Sequence, residues 1–341
     1  MMRYWIGGAA MALAAGALPA PAQAGEILDR VKERGTVRCA VFDDQPGLAT
    51  LGSDGSWVGF DVDYCRAFAA AIFGDPEKAE IVKMNFAQSF PALQSGEVDV
   101  ANMAITYTLG RDAEQGYDFV GPTLYNGMGF MVHKELGITR AEQLDGATIC
   151  LTAGTLLDAY LSDWFGARNM TYQVVAVEQS TQRYQMYEAG RCDVVTTELP
   201  LLAARRSRMQ NPDAHVILEE TFIKSHMGPL IVETDPQWSN VMRWTHYALI
   251  NAEEYGISQA NIDEVAKSTQ APDVRRFLGL EEGLGAKIGL HDGFAADIVR
   301  AVGNYNDIWE RNFGMSSALK LPRGMNALAQ DGGLQWAPTW R

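Results

Sequence analysis

Two stretches of the sequence, one in each half of the chain, repeat the same order of helix, glycine and aspartate. The first is Phe90-Pro-Ala-Leu-Gln-Ser-Gly96-Glu-Val-Asp99-Val, and the second is Tyr184-Gln-Met-Tyr-Glu-Ala-Gly190-Arg-Cys-Asp193-Val. In each stretch a predicted helix ends at the glycine, which suits a left-handed C-cap, and the aspartate then starts a strand. The repeat predicts two lobes of similar design.

The hydrophobic pattern around both stretches alternates between strands and helices. In the first half we predict strands at 37–42, 57–60, 79–85 and 98–105, and helices at 61–73 and 90–95. In the second half we predict strands at 147–152, 172–177 and 194–197, and helices at 154–166 and 180–189. This order is typical of layered α/β domains, and a cleft between two such lobes is where a small ligand normally binds.

The character of the chain changes beyond Pro229. We predict an amphipathic helix at 238–254, a charged, helix-rich stretch at 257–303, a further helix at 305–313 and an irregular tail at 314–341.

Residues 1–24 have the order of a signal peptide. Arg3 precedes an apolar run at 4–18, and the segment closes on Ala22-Gln23-Ala24, which fits a signal-peptidase site. The run is too short and too rich in alanine and glycine for a good membrane span, and no cysteine follows the cleavage point. We therefore expect an exported chain without a lipid anchor. The alternative, a buried N-terminal helix, does not account for this order of features.

The net charge argues against binding to nucleic acid. It is −14 for the whole chain and −15 once Arg3 is removed with the leader. Phosphate contact needs clustered lysine and arginine, so an acidic chain is a poor candidate for it.

The four cysteines, Cys39, Cys65, Cys150 and Cys192, suggest two disulfides in an oxidising compartment. Four cysteines allow three pairings, and chain order and local context favour Cys39 with Cys65 and Cys150 with Cys192. A zinc site is the alternative. It is disfavoured because the chain has no C-x-x-C and no histidine close to a cysteine in sequence.

Signatures of known enzyme classes are mostly missing. The chain has no H-E-x-x-H, no G-x-S-x-G, no P-loop and no dinucleotide fingerprint after a strand. The five histidines are scattered, and the predicted disulfides leave no thiol nucleophile. We therefore predict no cofactor, no metal and no catalytic residue, although a triad assembled in space would leave no such motif.

Polar residues follow three of the predicted strands. Arg111 comes after the strand at 98–105, Gly154-Thr155 after the strand at 147–152, and Glu198 after the strand at 194–197. Ligands of open α/β sheets bind beyond the carboxyl ends of strands. Arg111 suits a carboxylate, the Gly154-Thr155 turn offers backbone N–H groups to an anion, and Glu198 suits an ammonium group. Together they match a zwitterion.

Several motifs resemble the solute-binding proteins of polar amino-acid ABC importers. They are Gly59-Phe-Asp-Val-Asp63, Leu93-Gln-Ser-Gly96-Glu-Val-Asp99 and Thr108-Leu-Gly-Arg111. The chain is most similar to the general L-amino-acid-binding branch, on the strength of Ala70-Ala-Ile-Phe-Gly-Asp-Pro76, Ala189-Gly-Arg-Cys-Asp193, Trp244 to Glu254, Ala301-Val-Gly-Asn-Tyr305 and Gly332-Gly-Leu-Gln-Trp336. The resemblance covers essentially the whole mature chain.

The resemblance implies a type II periplasmic-binding-protein fold, with two lobes joined by two hinge strands. Lobe 1 would comprise 25–126 and return at 227–341, with a helical insertion at about 255–300, and lobe 2 would comprise 127–226. The ligand cleft would lie between the lobes.

The resemblance also implies roles for individual residues. Arg111, helped by Thr106, would hold the α-carboxylate of the ligand, and Glu198 would receive its α-ammonium group. The Gly154-Thr155 turn would add a backbone donor. Phe42 and Gln45 would line the first-lobe side, and we expect Ala104 and Leu156 to complete the ligand-binding set.

Some of these positions depart from the pattern of the branch. Glu198 stands where aspartate is usual, and Leu156 and Leu157 stand where the branch tends to have threonines. Met103 and Ala104 replace polar residues. We therefore expect a more apolar pocket that favours a less polar amino acid or an amino-acid-like zwitterion.

The resemblance implies a substrate-binding subunit that captures its ligand by lobe closure. It would deliver the ligand to the permease and ATPase subunits of an importer. The sequence gives no reason to expect an oligomer, so we expect a monomer. One alternative is a dehydratase-like periplasmic enzyme of the same fold, with Glu198 and Tyr107 as its acid and base. The other is a soluble ligand-binding partner of a sensor.

Overall fold

Residues 25–341, apart from Asp43, Gln115 and Glu282, are described by the computed structural model. The predicted signal peptide at 1–24 lies outside the described residues. Strands and helices alternate through the first two thirds of the described chain, which confirms the predicted α/β class. No helix in the described part of the chain is long and apolar enough to cross a membrane.

Fourteen strands are present in the described residues. They are β1 (Val37–Val41), β2 (Asp44–Gln45), β3 (Ala49–Leu51), β4 (Trp57–Val58), β5 (Ala79–Lys83), β6 (Val100–Ala101), β7 (Tyr117–Phe119), β8 (Leu124–His133), β9 (Ala147–Thr152), β10 (Tyr172–Val177), β11 (Val194–Glu198), β12 (His215–Ile217), β13 (Ile223–Met227) and β14 (Leu230–Val232).

Twelve α-helices accompany them in the same part of the chain. They are α1 (Glu26–Arg34), α2 (Phe60–Phe73), α3 (Phe86–Ser95), α4 (Leu109–Glu114), α5 (Leu157–Gly166), α6 (Ser180–Glu188), α7 (Leu199–Arg206), α8 (Pro236–Glu254), α9 (Ile262–Ser268), α10 (Pro272–Phe277), α11 (Phe294–Val302) and α12 (Tyr305–Asn312).

The strands form two main sheets and one small one. The first sheet has the order β5-β1-β6-β14-β7, and the second has the order β10-β9-β11-β8-β12, with β13 also paired to β8. In each sheet three strands are parallel, β5-β1-β6 and β10-β9-β11, and one strand next to them, β14 or β8, runs antiparallel. Strand β7 pairs antiparallel with β14, and β12 and β13 pair antiparallel with β8. The small sheet is the antiparallel ribbon β2-β3-β4.

Two segments carry the chain between the main sheets. The chain leaves the first sheet after β7 and enters the second along β8, and it returns from β13 to β14. The two crossing strands are paired to each other, with Tyr125 opposite His226 and Gly127 opposite Lys224. The predicted lobe boundaries at 126/127 and 226/227 fall within these strands. The division into 25–126, 127–226 and 227–341, with its insertion at 255–300, stays a prediction.

Each main sheet has its own hydrophobic core. The largest core lies between the first sheet and the C-terminal helices, where α2, α8, α11 and α12 pack together. A separate core covers one face of the second sheet and includes Phe130, Ile149 and Phe165. One disulfide is found on each side: Cys39 is bonded to Cys65, and Cys150 to Cys192.

The predicted strand at 98–105 is much shorter in the structure. Only Val100–Ala101 belongs to the first sheet, because the chain turns away immediately afterwards. The side chain of Asn102 donates to the carbonyl oxygen of Asp61 at 2.7 Å, and Ala104 has a φ of 49°, in the left-handed region. A residue in that region ends an extended strand. The turn brings Thr106 back to a single bridge with Met227.

Two helix starts also differ from the prediction. Helix α3 begins at Phe86 rather than at residue 90, because Asn85 and Gln88 form a capping box there. Helix α5 begins at Leu157 rather than at Gly154. Gly154 has a φ of 77°, which is left-handed and excludes it from a right-handed helix. Residues 154–156 therefore form a turn that projects from the carboxyl end of β9.

Candidate functional site

A cleft between the two main sheets collects most of the residues predicted to bind a ligand. It is lined by Phe42, Gln45, Phe86, Ala104, Thr106, Arg111, Met128, Thr152, Thr155, Leu156, Leu157, Ser180, Arg183, Thr197, Glu198 and Leu201. The cleft holds about 550 Å³ of space not occupied by atoms, part of which is open to solvent. Of the nine predicted residues, only Gly154 is absent from this lining.

Arg111 is the cation on the first-sheet side. It lies on α4, 7% exposed, and its Nη1 donates to the carbonyl oxygen of Thr106 at 2.8 Å. Its guanidinium lies over the rings of Phe86 and Phe90, at 5.4 and 5.5 Å from their centroids. Burial lowers the pKa of Arg111 from its usual value. No described carboxylate forms an ion pair with it, so most of its donors remain available to a ligand.

The loop before Arg111 supplies the floor of this side. The hydroxyls of Thr106 and Ser225 lie 3.2 Å apart, within hydrogen-bond distance. The bridge between Thr106 and Met227 ties the loop to the end of β13, one of the two crossing strands. The left-handed turn at Ala104 ends the strand and also positions the Thr106 carbonyl oxygen, which accepts from the Arg111 guanidinium and orients it.

Glu198 is the anion on the second-sheet side. It is the last residue of β11, 7% exposed, and accepts a hydrogen bond from the Thr197 hydroxyl at 2.5 Å. It forms no ion pair with a described residue. Burial raises the pKa of Tyr160, the positive charge of Arg111 lowers it, and the negative charge of Glu198 raises it. The predicted cation and anion therefore face the same space.

The turn after β9 lines the same cleft as these two charges. The Thr155 hydroxyl donates to the carbonyl oxygen of Thr152 at 2.8 Å, which fixes the turn internally. A side chain at Gly154 would point towards Ala87 of α3, at 3.8 Å, so Gly154 faces the opposite lobe rather than the ligand space. Backbone N–H groups at the start of α5 are the donors that this turn offers.

The aromatic and apolar lining comes from both sides. Phe42 stacks on Phe86, with ring centroids 6.4 Å apart, and Gln45 lies beside them on β2. Leu156 and Leu157 line the second-sheet side. Met103 does not line the cleft, because it is fully buried in the core beneath the first sheet. Its departure from the branch pattern therefore bears on packing rather than on the ligand.

Sequence reasoning missed three polar residues in the lining. Thr152, Ser180 and Arg183 are buried, and Thr152 Oγ1, Ser180 Oγ and Arg183 Nε each lack a hydrogen-bond partner among the described residues. Thr152 ends β9 and Ser180 begins α6 just after β10. Both could have been predicted from the sequence, because ligands bind at the carboxyl ends of parallel strands. Arg183 is brought in by the first turn of α6.

The structure offers little for the enzyme alternative. Tyr107 does not line the cleft; its ring stacks on Phe119 at 4.1 Å, and burial raises its pKa. Of the two predicted acid–base candidates, only Glu198 faces the ligand space. In the part of the chain that the structure describes, no group of three or more histidine, cysteine or acidic side chains is arranged to hold a metal ion.

Similar proteins of known type match nearly the whole chain. The general L-amino acid-binding periplasmic protein AapJ of Rhizobium johnstonii is 44% identical over 335 residues, which is 98% of this chain and 98% of that protein. The glutamate/glutamine/aspartate/asparagine-binding protein BztA of Rhodobacter capsulatus is 44% identical over 329 residues, covering 96% and 97% of the two chains.

Solved structures share the fold. An ABC transporter/periplasmic binding protein from Brucella ovis with glutathione bound has a TM-score of 0.89 and 45% identity, covering 92% of this chain and 99% of that one. The cysteine-binding protein of Campylobacter jejuni, 24% identical, has a TM-score of 0.60 and covers 72% and 93%. These likenesses confirm the predicted type II periplasmic-binding-protein fold. The sequence profile of the bacterial extracellular solute-binding proteins, family 3, matches residues 37–259, and the chain belongs to that family.

Proposed function

We propose that this chain is the substrate-binding subunit of an ABC importer and captures an amino-acid-like zwitterion. One observation carries the proposal. A buried arginine from one side of the cleft and a buried glutamate from the other line the same space, and neither has a counter-ion among the described residues. A buried charge without a partner is costly, so a ligand with a carboxylate and an ammonium group supplies what both residues lack.

The two charges define how the ligand lies. Its α-carboxylate accepts from the Arg111 guanidinium, with the Thr106 hydroxyl and the backbone N–H groups at the start of α5 nearby. Its α-ammonium group donates to Glu198. Each charge-assisted hydrogen bond contributes about 1.5–3 kcal/mol. Three or four of them, less the cost of ordering the ligand and closing the cleft, reach the roughly 8 kcal/mol of micromolar binding.

Lobe closure is the mechanism of capture. The ligand binds first to one lobe of an open cleft, and bending along β8 and β13 brings the other lobe over it. Closure excludes water, which strengthens the contacts of Arg111 and Glu198 with the ligand. The closed form then docks on a permease, whose ATPase subunits drive import.

The names of the relatives support a periplasmic location and a role in amino-acid import. Two of them are named as amino-acid-binding proteins, one of these as periplasmic. We propose the periplasm as the site of action, reached through the signal peptide at 1–24, with no lipid anchor. A monomer is sufficient, because both charged residues of the site come from one chain. No step of capture and release requires catalysis, so we propose no enzymatic activity.

Native mass spectrometry of the protein purified from the periplasm, before and after gentle denaturation, tests the proposal. We expect release of a small zwitterion with its mass intact. A time course with that ligand and fresh protein separates binding from turnover, since an enzyme would convert the ligand. Release of a compound without an amino or a carboxyl group, or turnover of the ligand, would contradict the proposal.

The class of side chain is a separate question, which a panel addresses. Leu156 and Leu157 in the lining favour a less polar side chain, and thermal shift across the standard amino acids measures the preference. The greatest stabilisation by leucine, methionine or phenylalanine would support the apolar expectation. The greatest stabilisation by glutamate or aspartate would contradict it and would indicate a site for a second carboxylate.

A further inference from the structure

A second arginine lies inside the cleft. Arg183 is 3% exposed and lines the same space as Arg111 and Glu198. Its Nη1 donates to the carbonyl oxygen of Thr196 at 3.3 Å and its Nη2 to the Tyr184 hydroxyl at 3.1 Å, while its Nε has no partner. The guanidinium thus has neutral partners and an unused donor, but no described carboxylate within ion-pair distance.

Two hydroxyls in the same lining are also without partners. Thr152 Oγ1 and Ser180 Oγ are buried, and neither forms a hydrogen bond with a described residue. Buried polar atoms are satisfied in the great majority of native structures, so three such atoms in one cleft indicate a ligand group. All three can donate, and a group that accepts several hydrogen bonds at once would satisfy them.

The charge of the lining points to the nature of that group. Among the described lining residues, Arg111 and Arg183 are cations and Glu198 is the one anion. A simple zwitterion neutralises Arg111 and Glu198 and leaves Arg183 buried and unpaired. A ligand with two carboxylates and one ammonium group, of net charge −1, neutralises all three. Closure around a neutral amino acid would instead retain an uncompensated buried charge.

The cleft has room on this side. A neighbouring hollow shares Phe42, Phe86, Thr152 and Ser180 with it and adds about 650 Å³ of empty space, part of it open to solvent. The two unpartnered hydroxyls lie where the two spaces meet. A ligand longer than an amino acid can therefore extend past them without displacing the core of either lobe.

We propose that Arg183, Thr152 and Ser180 form a second carboxylate subsite, which selects amino-acid-type ligands that carry an additional carboxylate. The inference rests on the proposed function, because it uses Arg111 and Glu198 for the α-groups. Two kinds of ligand carry two carboxylates and one ammonium group: a dicarboxylic amino acid such as glutamate, and a γ-glutamyl peptide such as glutathione. The subsite replaces the apolar preference expected from Leu156 and Leu157.

Calorimetry of the wild-type protein with four probes tests the subsite directly. Glutamate and glutamine differ only in the charge of the side-chain group, glutathione places its second carboxylate further away, and leucine has none. We expect glutamate or glutathione to bind about tenfold to a hundredfold more tightly than glutamine, as a charge-assisted contact requires. The better of the two identifies the source.

Variants assign the preference to Arg183. Arg183→Gln should lower the affinity for the preferred dicarboxylate by about tenfold to a hundredfold, and change glutamine binding by less than about threefold. Arg183→Lys keeps the positive charge but loses the bidentate guanidinium, so its affinity for the dicarboxylate should lie between those of the wild type and Arg183→Gln. Arg191→Gln is the matched control, since Arg191 is an exposed arginine just beyond the same helix. Circular dichroism and thermal melting establish that each variant is folded.

The outcomes are distinct. Tightest binding of leucine or glutamine by the wild-type protein would overturn the subsite while leaving the proposed function intact. So would a dicarboxylate affinity that survives in a folded Arg183→Gln variant. If neither Arg183 variant folds, the wild-type ratio of glutamate or glutathione to glutamine still decides the question. Failure of all four probes to bind would remove the proposed amino-acid function together with the inference.

Discussion

Asp44 lies 3.7 Å from Arg205 across the cleft, in ion-pair contact between groups held by different sheets. Asp44 belongs to the ribbon beside the first sheet, whereas Arg205 is on α7, which packs against the second sheet. Arg208 approaches the same carboxylate at 3.9 Å. The structure therefore has the two lobes in contact at the mouth of the ligand site, as a closed binding protein requires.

Asp44→Asn should weaken ligand binding without touching the ligand. The Asp44 side chain is 41% exposed, so its pairs contribute about 0.2–1 kcal/mol to the closed form, and the affinity should fall by roughly 1.5- to 5-fold. The effect should shrink at high salt. Stopped-flow measurement of ligand release checks it, since loss of a closing contact acts on the dissociation rate. Glu142→Gln, which breaks an exposed ion pair with Arg140, is the control and should leave the ligand affinity and release rate unchanged.

Arg111→Ala should abolish detectable ligand binding while the fold survives. The substitution removes the proposed bidentate partner of the α-carboxylate and leaves Glu198 as the remaining charged contact to the α-groups, so we expect a loss of affinity above about a hundredfold. Calorimetry measures it. Arg168→Ala is the control. It removes an exposed arginine that also lies over an aromatic ring, Trp164 at 4.2 Å, and it should leave the ligand affinity unchanged. Unchanged affinity in Arg111→Ala would refute the assignment of the carboxylate site.

Glu198→Gln should reduce affinity by about tenfold or more, because a neutral amide no longer balances the ligand ammonium group. Glu198→Asp withdraws the carboxylate by one methylene and should cost less, since the charge remains. The order glutamate, aspartate, glutamine at residue 198 is the expected order of affinity in calorimetry. Glu188→Gln, at an exposed position on the same lobe, should leave affinity unchanged. Equal binding by all three residue-198 forms would rule out an ammonium contact there.

Stability should fall in acid through His246. This fully buried imidazole shares a 2.9 Å hydrogen bond with the Tyr64 hydroxyl, and burial lowers its pKa from 6.5 to about 4. Between those values the unfolded chain binds a proton that the folded chain does not. The free energy of unfolding therefore drops as pH falls from about 6.5 to 4, by about 3 kcal/mol in all.

The comparison with His246→Asn isolates this contribution. Asp61, whose charge acts on Tyr64, has a pKa raised by burial and titrates in the opposite sense, but it is present in both proteins. Urea unfolding at several pH values gives the difference between wild type and variant. That difference should shrink below pH 6.5, and a difference that is constant from pH 7 to 4 would contradict the buried neutral imidazole.

Removing either disulfide should lower stability without disturbing the ligand site. The bonds close loops with sequence separations of 26 and 42 residues. Chain entropy assigns them about 3.5 and 4 kcal/mol. Cys39→Ser/Cys65→Ser and Cys150→Ser/Cys192→Ser, each compared with the wild type in urea, check the two values separately. Ligand affinity should be retained by the folded fraction of both, because neither bond lines the cleft.

The amino-acid sequence alone determined the α/β class and many of the local elements. The strands 147–152 and 172–177 were predicted at their observed bounds, because their periodicity is local and tertiary contacts do not shift it. The predicted cation and anion, Arg111 and Glu198, also reach the same cleft. Each was predicted beyond the carboxyl end of a strand in its own half of the chain, where ligands of α/β sheets bind, and the cleft lies between the two sheets.

The tertiary structure decided which other side chains meet the ligand space. The left-handed backbone at Ala104 shortened one predicted strand, and that at Gly154 delayed one helix, so Met103 belongs to the core and Gly154 faces away. Arg183 could not be predicted as a site residue, because an arginine on a helix is usually solvated. Its role depends on the packing that excludes water from it, and burial is a property of the assembled lobes rather than of any local pattern.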